Sequence, residues 1–189
     1  EIINQINWTV DTTLLGIISG TAATAIYGVG AQINQYYMAL STSISGVFTP
    51  QINRIVARGE GDEQLTKLFT RVGRIQFMLL MLVLTGFVFV GEPFICAWGG
   101  EEYGVAYWIA LLLIAPVTVP LIQNIGIEIQ RAKNMHQFRS KVYFCMAIGN
   151  ALVSIPLGMK FGGVGCALGT AISMVVGNGF IMNWYYQTH

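Results

Sequence analysis

Charge is what this sequence has least of. Lys and Arg together number 10 and Asp and Glu 9 in 189 residues, so charged residues are 10% of the chain, where a soluble domain carries roughly 25%. So few ionic groups cannot cover a water-facing surface of this size. A net charge of +1 offers no basic surface either, so no nucleic-acid partner is expected. Cysteine is scarce: Cys96, Cys145 and Cys166 form no C-x-x-C pair and read as small apolar filler. Histidine is limited to His136 and His189, which gives no paired metal ligands. No glycine period of three exists, which excludes collagen, and the apolar content excludes disorder. That content is 54% hydrophobic residues, with a mean hydropathy of +0.59.

The few charges are clumped, and the gaps between clumps have the length of membrane spans. No Lys, Arg, Asp or Glu occurs from Thr12 to Asn53, Ile75 to Gly91, Tyr103 to Ile127, Val142 to Met159 or Phe161 to His189. A helix needs about 20 apolar residues to cross the hydrocarbon layer. The longest gap holds most of two spans, folded at Ser19-Gly20-Thr21. The expectation is an all-α membrane protein of six transmembrane helices, at about 2–19, 22–53, 72–96, 105–129, 142–159 and 164–186. The chain opens on Glu1-Ile2-Ile3, already apolar, without an initiator Met, a basic leader or a cleavage site. It reads as a piece of a longer transmembrane protein.

Short loops rich in Lys and Arg mark the cytoplasmic side. Arg54, Arg58, Lys67, Arg71 and Arg74 lie in the second connection and Arg131, Lys133, Arg139 and Lys141 in the fourth, leaving only Lys160 for the odd-numbered ones. Both ends of the chain are therefore expected inside. Within the second connection, Leu65, Leu68, Phe69 and Val72 share one helical face, with Lys67, Arg71 and Arg74 on the others. That pattern predicts a cytoplasmic interfacial helix at about 60–72, lying on anionic lipid. Trp98, Tyr103, Tyr107 and Trp108 outside, and Trp184, Tyr185 and Tyr186 inside, fit aromatic belts.

Enzyme signatures fail in turn, and no catalysis is expected. Gly163-Val164-Gly165 with Gly169 faintly resembles a dinucleotide fingerprint, but no acidic residue follows and the setting is a membrane helix. The external connections are short, leaving little from which to build an active site.

Polarity inside the apolar spans is the informative feature. Asn4, Asn7 and Asp11 share one face of the first span, with Asp11 near mid-depth. A carboxylate there costs about 2.5–3.5 kcal/mol, so it must border a cavity, meet a cation or take up a proton. The functional reading is a coupling-ion or substrate site, and the bland one a buried acid satisfied by a neighbour. The second span carries Gln32, Asn34, Gln35, Tyr36, Tyr37, Ser41, Thr42, Ser45 and Asn53. Amides and phenols both donate and accept hydrogen bonds, which suits a neutral hydroxyl-rich ligand; the bland reading is interhelical glue. Pro116 and Pro120 predict a bend in the fourth span, with Gln123 and Asn124 just below it. Gly165, Gly169, Ser173 and Gly177 form a small-residue ridge for close helix packing, after a tight turn at Gly158, Gly162 and Gly163.

These residues resemble the oligosaccharide flippase (polysaccharide transport) family of the multidrug/oligosaccharidyl-lipid/polysaccharide exporter superfamily. The resemblance is carried by Asn4-Gln5, Trp8, Asp11 and Gly16, by Tyr27-Gly28-Val29-Gly30-Ala31-Gln32, and by Ser45-Gly46-Val47-Phe48 with Pro50. It continues in Trp98-Gly99-Gly100 with Tyr103, in Gln123-Asn124-Ile125-Gly126, in Ala132-Lys133-Asn134-Met135-His136, and in the run from Gly162 to Ala171. It implies a two-lobe alternating-access transporter of twelve or more helices, of which this chain is the second lobe and whose N-terminal lobe is a partner. It also implies export of an undecaprenyl-linked oligosaccharide for surface polysaccharide across the bacterial plasma membrane. No bound cofactor is implied beyond a coupling H⁺ or Na⁺. On that reading Asp11 couples or orients, and Asn4, Asn7, Gln32 and Gln35 line the cavity with Gln123 and Asn124 opposite. Arg54 is the nearest phosphate contact. Three rival readings are an ion-coupled multidrug antiporter of the same superfamily, a membrane-embedded glycan polymerase or ligase, and a non-transporting scaffold.

Overall fold

The computed structural model describes residues 13, 15–16, 20–59, 62–132 and 137–177, and no side chains at 62 or 137–147. Every element among them is helical. Helix α1 spans Gly20–Arg58, α2 Asp62–Gly99, a 3₁₀ turn Glu101–Tyr103, α3 Gly104–Ile122, α4 Asn124–Ala132 and α5 Gln137–Met174. Gly59 (φ 64°) and Gly100 (φ 99°) stand where the chain reverses and Gly20 (φ 81°) opens α1, all in left-handed backbone that favours glycine.

Among the described residues three helical stretches are long and apolar enough to cross a membrane: Glu63–Gly99, Glu101–Ile122 and Ile148–Gly177. Helix α1 is longer than any of them, but the polar residues along it lower its hydropathy. At about 1.5 Å per residue, α1 and α2 each reach well beyond a hydrocarbon layer of about 30 Å. They pair antiparallel, since Tyr37 meets Leu80 and Ser45 meets Gln76. Helix α3 runs parallel to α1: Gly30 lies against Ala106 and Ile109, Tyr37 against Thr118, and Ser41 against Leu121. At Gly30 an added methyl would stand 2.8 Å from Ile109, so glycine sets how closely α1 and α3 approach.

Helix α5 is a hairpin rather than a rod. Gly162 alone breaks it, with φ 59° and ψ −135°. The second arm folds back so that Ser154 hydrogen-bonds the Cys166 carbonyl and Thr170 hydrogen-bonds Asn150. A methyl at Gly165 would overlap the Leu157 carbonyl, and one at Gly169 the Ser154 side chain. The small-residue ridge therefore packs backbone to backbone within this hairpin. Its second arm then joins a core of Tyr27, Ala31, Ile109, Leu113, Cys166 and Ala167.

Several expectations change. Residues 62–72 are not a separate interfacial helix but the opening turns of α2. Their apolar side, Leu65, Leu68 and Val72, is buried with Ile52, Ile55 and Ile125. Burying such a side chain gains about 1.5–3 kcal/mol over leaving it in water, and the projecting end of α1 offers that burial without lipid. The bend expected at Pro116 and Pro120 falls later: α3 continues through both prolines and ends at Ile122, with Gln123 as the turn into α4. Tyr107 belongs to no aromatic belt, because it is 6% exposed and its hydroxyl donates to the Val88 carbonyl at 3.0 Å. Trp98 and Trp108 are exposed. Most of the first span, and Trp184, Tyr185 and Tyr186, lie outside the described residues.

Candidate substrate-facing surface of α1

Helix α1 has two polar sides that do different work. The inward one carries Asn34, Tyr37, Ser41 and Ser45, all buried. Gln76, fully enclosed on α2, donates to Ser45 Oγ at 2.7 Å and to the Ser41 carbonyl at 3.1 Å. Ser41 in turn donates to the Leu121 carbonyl at 2.9 Å, which also accepts the Gln123 N–H where α3 ends. The one proton of the Tyr37 hydroxyl is shared between the Leu80 carbonyl at 3.1 Å and Thr118 Oγ1 at 2.9 Å. Thr118 also bonds the Ile114 carbonyl behind it. Each such interhelical bond is worth about 0.6 kcal/mol in lipid, at most ~1.7. Together they fix the rotation of α1 against α2 and α3.

With that rotation fixed, the opposite side of α1 is left open. Gln32, Tyr36, Ala39, Ser43, Gly46, Pro50 and Arg54 fall at spacings of three and four and are all exposed, hence on one face. Gln35, Thr42 and Asn53 flank them and are exposed too. Gln32 Nε2 donates to the Tyr36 hydroxyl at 3.0 Å. That leaves the Tyr36 O–H free to donate outward beside the accepting Gln32 Oε1. Pro50 has no N–H for the Gly46 carbonyl, which loses its helix partner on the same open face. Arg54 supplies the positive charge at the far end, and the face carries no acid.

Only part of the expected site is assembled. Asn4, Asn7 and Asp11 lie outside the described residues. Gln32, Gln35 and Arg54 share the open surface. Gln123 is half-buried in the α3–α4 turn, and its neighbour Leu121 stands level with Ser41. At ~1.5 Å per residue Ser41 lies roughly 9 Å along α1 from Gln35, so Gln123 is displaced toward the Arg54 end rather than opposite the glutamines. Asn124 is enclosed, 8% exposed, because α4 packs its first turn inward with Ile125 at 0%. Gln76 and Thr118 were not foreseen as polar anchors. Gln76 is the lone amide within the apolar run from Ile75 to Gly91, and that isolation was the available signal. Among the described residues no group of three or more His, Cys, Asp or Glu could hold a metal ion.

The chain is similar to the probable flippase AglR of Haloferax volcanii, with 26% identity over 173 residues, covering 89% of this chain and 36% of that protein. The chain thus spans about a third of the length of this curated relative. No family model matches the sequence, and no solved structure does. The apolar helices and this likeness together point to a membrane location and a flippase-like class.

Proposed function

We propose that the chain is one six-helix lobe of a two-lobe transporter that flips a lipid-linked oligosaccharide across a membrane. The single observation that carries this reading is the open face of α1. It is lined with amides, hydroxyls and a bare carbonyl from Gln32 to Gly46, ends on Arg54, and belongs to a helix held rigid from behind. Neutral donor–acceptor groups match sugar hydroxyls, and the adjacent Tyr36 donor and Gln32 acceptor suit a vicinal diol. Arg54 matches a phosphate on the lipid anchor. The relative named as a probable flippase supports the same class. The reading assigns the second lobe to the rest of the protein, places Asp11 as the residue coupling to H⁺ or Na⁺, and has the protein transport its cargo unchanged.

The superfamily's other activity, efflux of organic cations, is the weaker reading, because a cation would need an acid on a face whose one ionic group is Arg54. The test uses the full-length protein in proteoliposomes with a fluorescent polyprenyl-diphosphate-linked saccharide. Replacing Gln32→Ala and Gln35→Ala together removes two hydrogen bonds of about 0.5–1.5 kcal/mol each, so flipping should slow roughly tenfold or more. Undiminished flipping would remove these residues from the site, and transport of organic cations without any saccharide flipping would select the antiporter.

A further inference from the structure

Helix α2 meets its surroundings differently from α1. Of its most apolar stretch only 17% is buried, against 50% for α3. Its buried side, from Leu65 through Gln76 to Leu80, faces α1, α3 and α4. Lys67, Arg71, Arg74, Met78 and Leu82 follow one another at spacings of three and four on the other side, and all five are exposed. Met78 is 68% and Leu82 71% exposed. Lys67 is already neutralised by Glu63 at 2.7 Å. Among the described residues no acid pairs with Arg71 or Arg74, and the run from Ile75 onward is free of charge until Glu92. Arg74 is thus the last charge before the apolar stretch, with Arg71 one turn further from it.

We propose that this side of α2 binds an anionic phospholipid of the bilayer, its headgroup on Arg71 and Arg74 and an acyl chain along Met78 and Leu82. Charge complementarity selects the headgroup: two exposed guanidiniums hold a phosphate by paired N–H donors, and a zwitterionic lipid offsets that attraction with its own cation. The apolar continuation selects a lipid over a free phosphate. The packing of Leu65, Leu68 and Val72 on protein fixes which way the arginines point. This site stands whether or not α1 handles a saccharide.

The test takes the full-length protein purified in detergent and titrates it with phosphatidylglycerol or phosphatidylcholine of matched acyl chains, reading bound lipid by native mass spectrometry. Phosphatidylglycerol should bind more tightly. Arg71→Gln and Arg74→Gln should each weaken it about fivefold and together about 25-fold, the scale of one surface cation each, leaving phosphatidylcholine unchanged. Arg131→Gln, removing a cation already paired with Glu128, should have little effect. The pair Arg71→Lys and Arg74→Lys should keep most of the binding, which separates lost charge from a damaged fold. Equal binding of the two lipids, a double Gln variant that still prefers phosphatidylglycerol, or displacement of the lipid by glycerol 3-phosphate would overturn the proposal.

Discussion

Gln76 of α2 holds its side-chain nitrogen 2.7 Å from the Ser45 hydroxyl of α1, with the Ser41 carbonyl at 3.1 Å and the Ser41 hydroxyl at 3.3 Å. One amide thus gathers three acceptors across an interface that lies within an apolar layer. Gln76→Ala removes their shared donor and leaves a void, and should lower the stability of the full-length protein by roughly 1–3 kcal/mol. Thermal unfolding in detergent reads the loss; an unchanged midpoint would mean that water replaces the amide.

Tyr37 and Thr118 tie α1 to α3 in the same layer. A cycle of Tyr37→Phe, Thr118→Val and the double variant should give a coupling of about 0.6–1.7 kcal/mol. Additive effects would show that the two hydroxyls are satisfied separately, Tyr37 by the Leu80 carbonyl and Thr118 by that of Ile114.

Glycines in this chain should respond to alanine with opposite signs. Gly165 lies directly against the Leu157 carbonyl, so Gly165→Ala forces the α5 hairpin apart at a cost of about 1–3 kcal/mol or more. Gly86 faces open space on α2, so Gly86→Ala should stabilise by up to about 1 kcal/mol through helix propensity. Comparing the yield and melting temperature of the two variants checks both signs. A tolerated alanine at 165 would contradict the close-packed hairpin.

What the sequence disclosed and what it withheld divide along physical lines. Gaps between charges fall on long helical stretches of α1, α2, α3 and α5, three of the helices being long and apolar enough to cross a membrane, because the cost of burying charge in lipid acts residue by residue. The turn at Gly162 was visible as a glycine cluster, and its φ of 59° with ψ of −135° is backbone that glycine alone adopts readily. The polar residues of α1 were visible too, but their division into an inward set (Tyr37, Ser41, Ser45) and an outward set (Gln32, Tyr36, Ser43) depends on which side α2 and α3 occupy. Periodicity alone does not carry that information. For the same reason Leu65, Leu68 and Val72 suggested a lipid-facing stripe when they pack on Ile52, Ile55 and Ile125. The helix end at Gln123 carries no such mark in the sequence, whereas Pro116 and Pro120 do, and α3 runs through both with Ser41 bonding the Leu121 carbonyl and Thr118 that of Ile114.

The central claim is that the open face of α1 borders water while the exposed side of α2 borders lipid. The most direct measurement is thiol labelling of single cysteines at Gln35, Ser43 and Leu82, one at a time, in a full-length protein freed of its own cysteines. A charged, membrane-impermeant thiosulfonate should modify positions 35 and 43 quickly and be slowed by a polyprenyl-diphosphate-linked saccharide, while position 82 stays unmodified. Inert cysteines at 35 and 43, in a variant that still folds, would make that face dry packing surface and leave no path for a sugar.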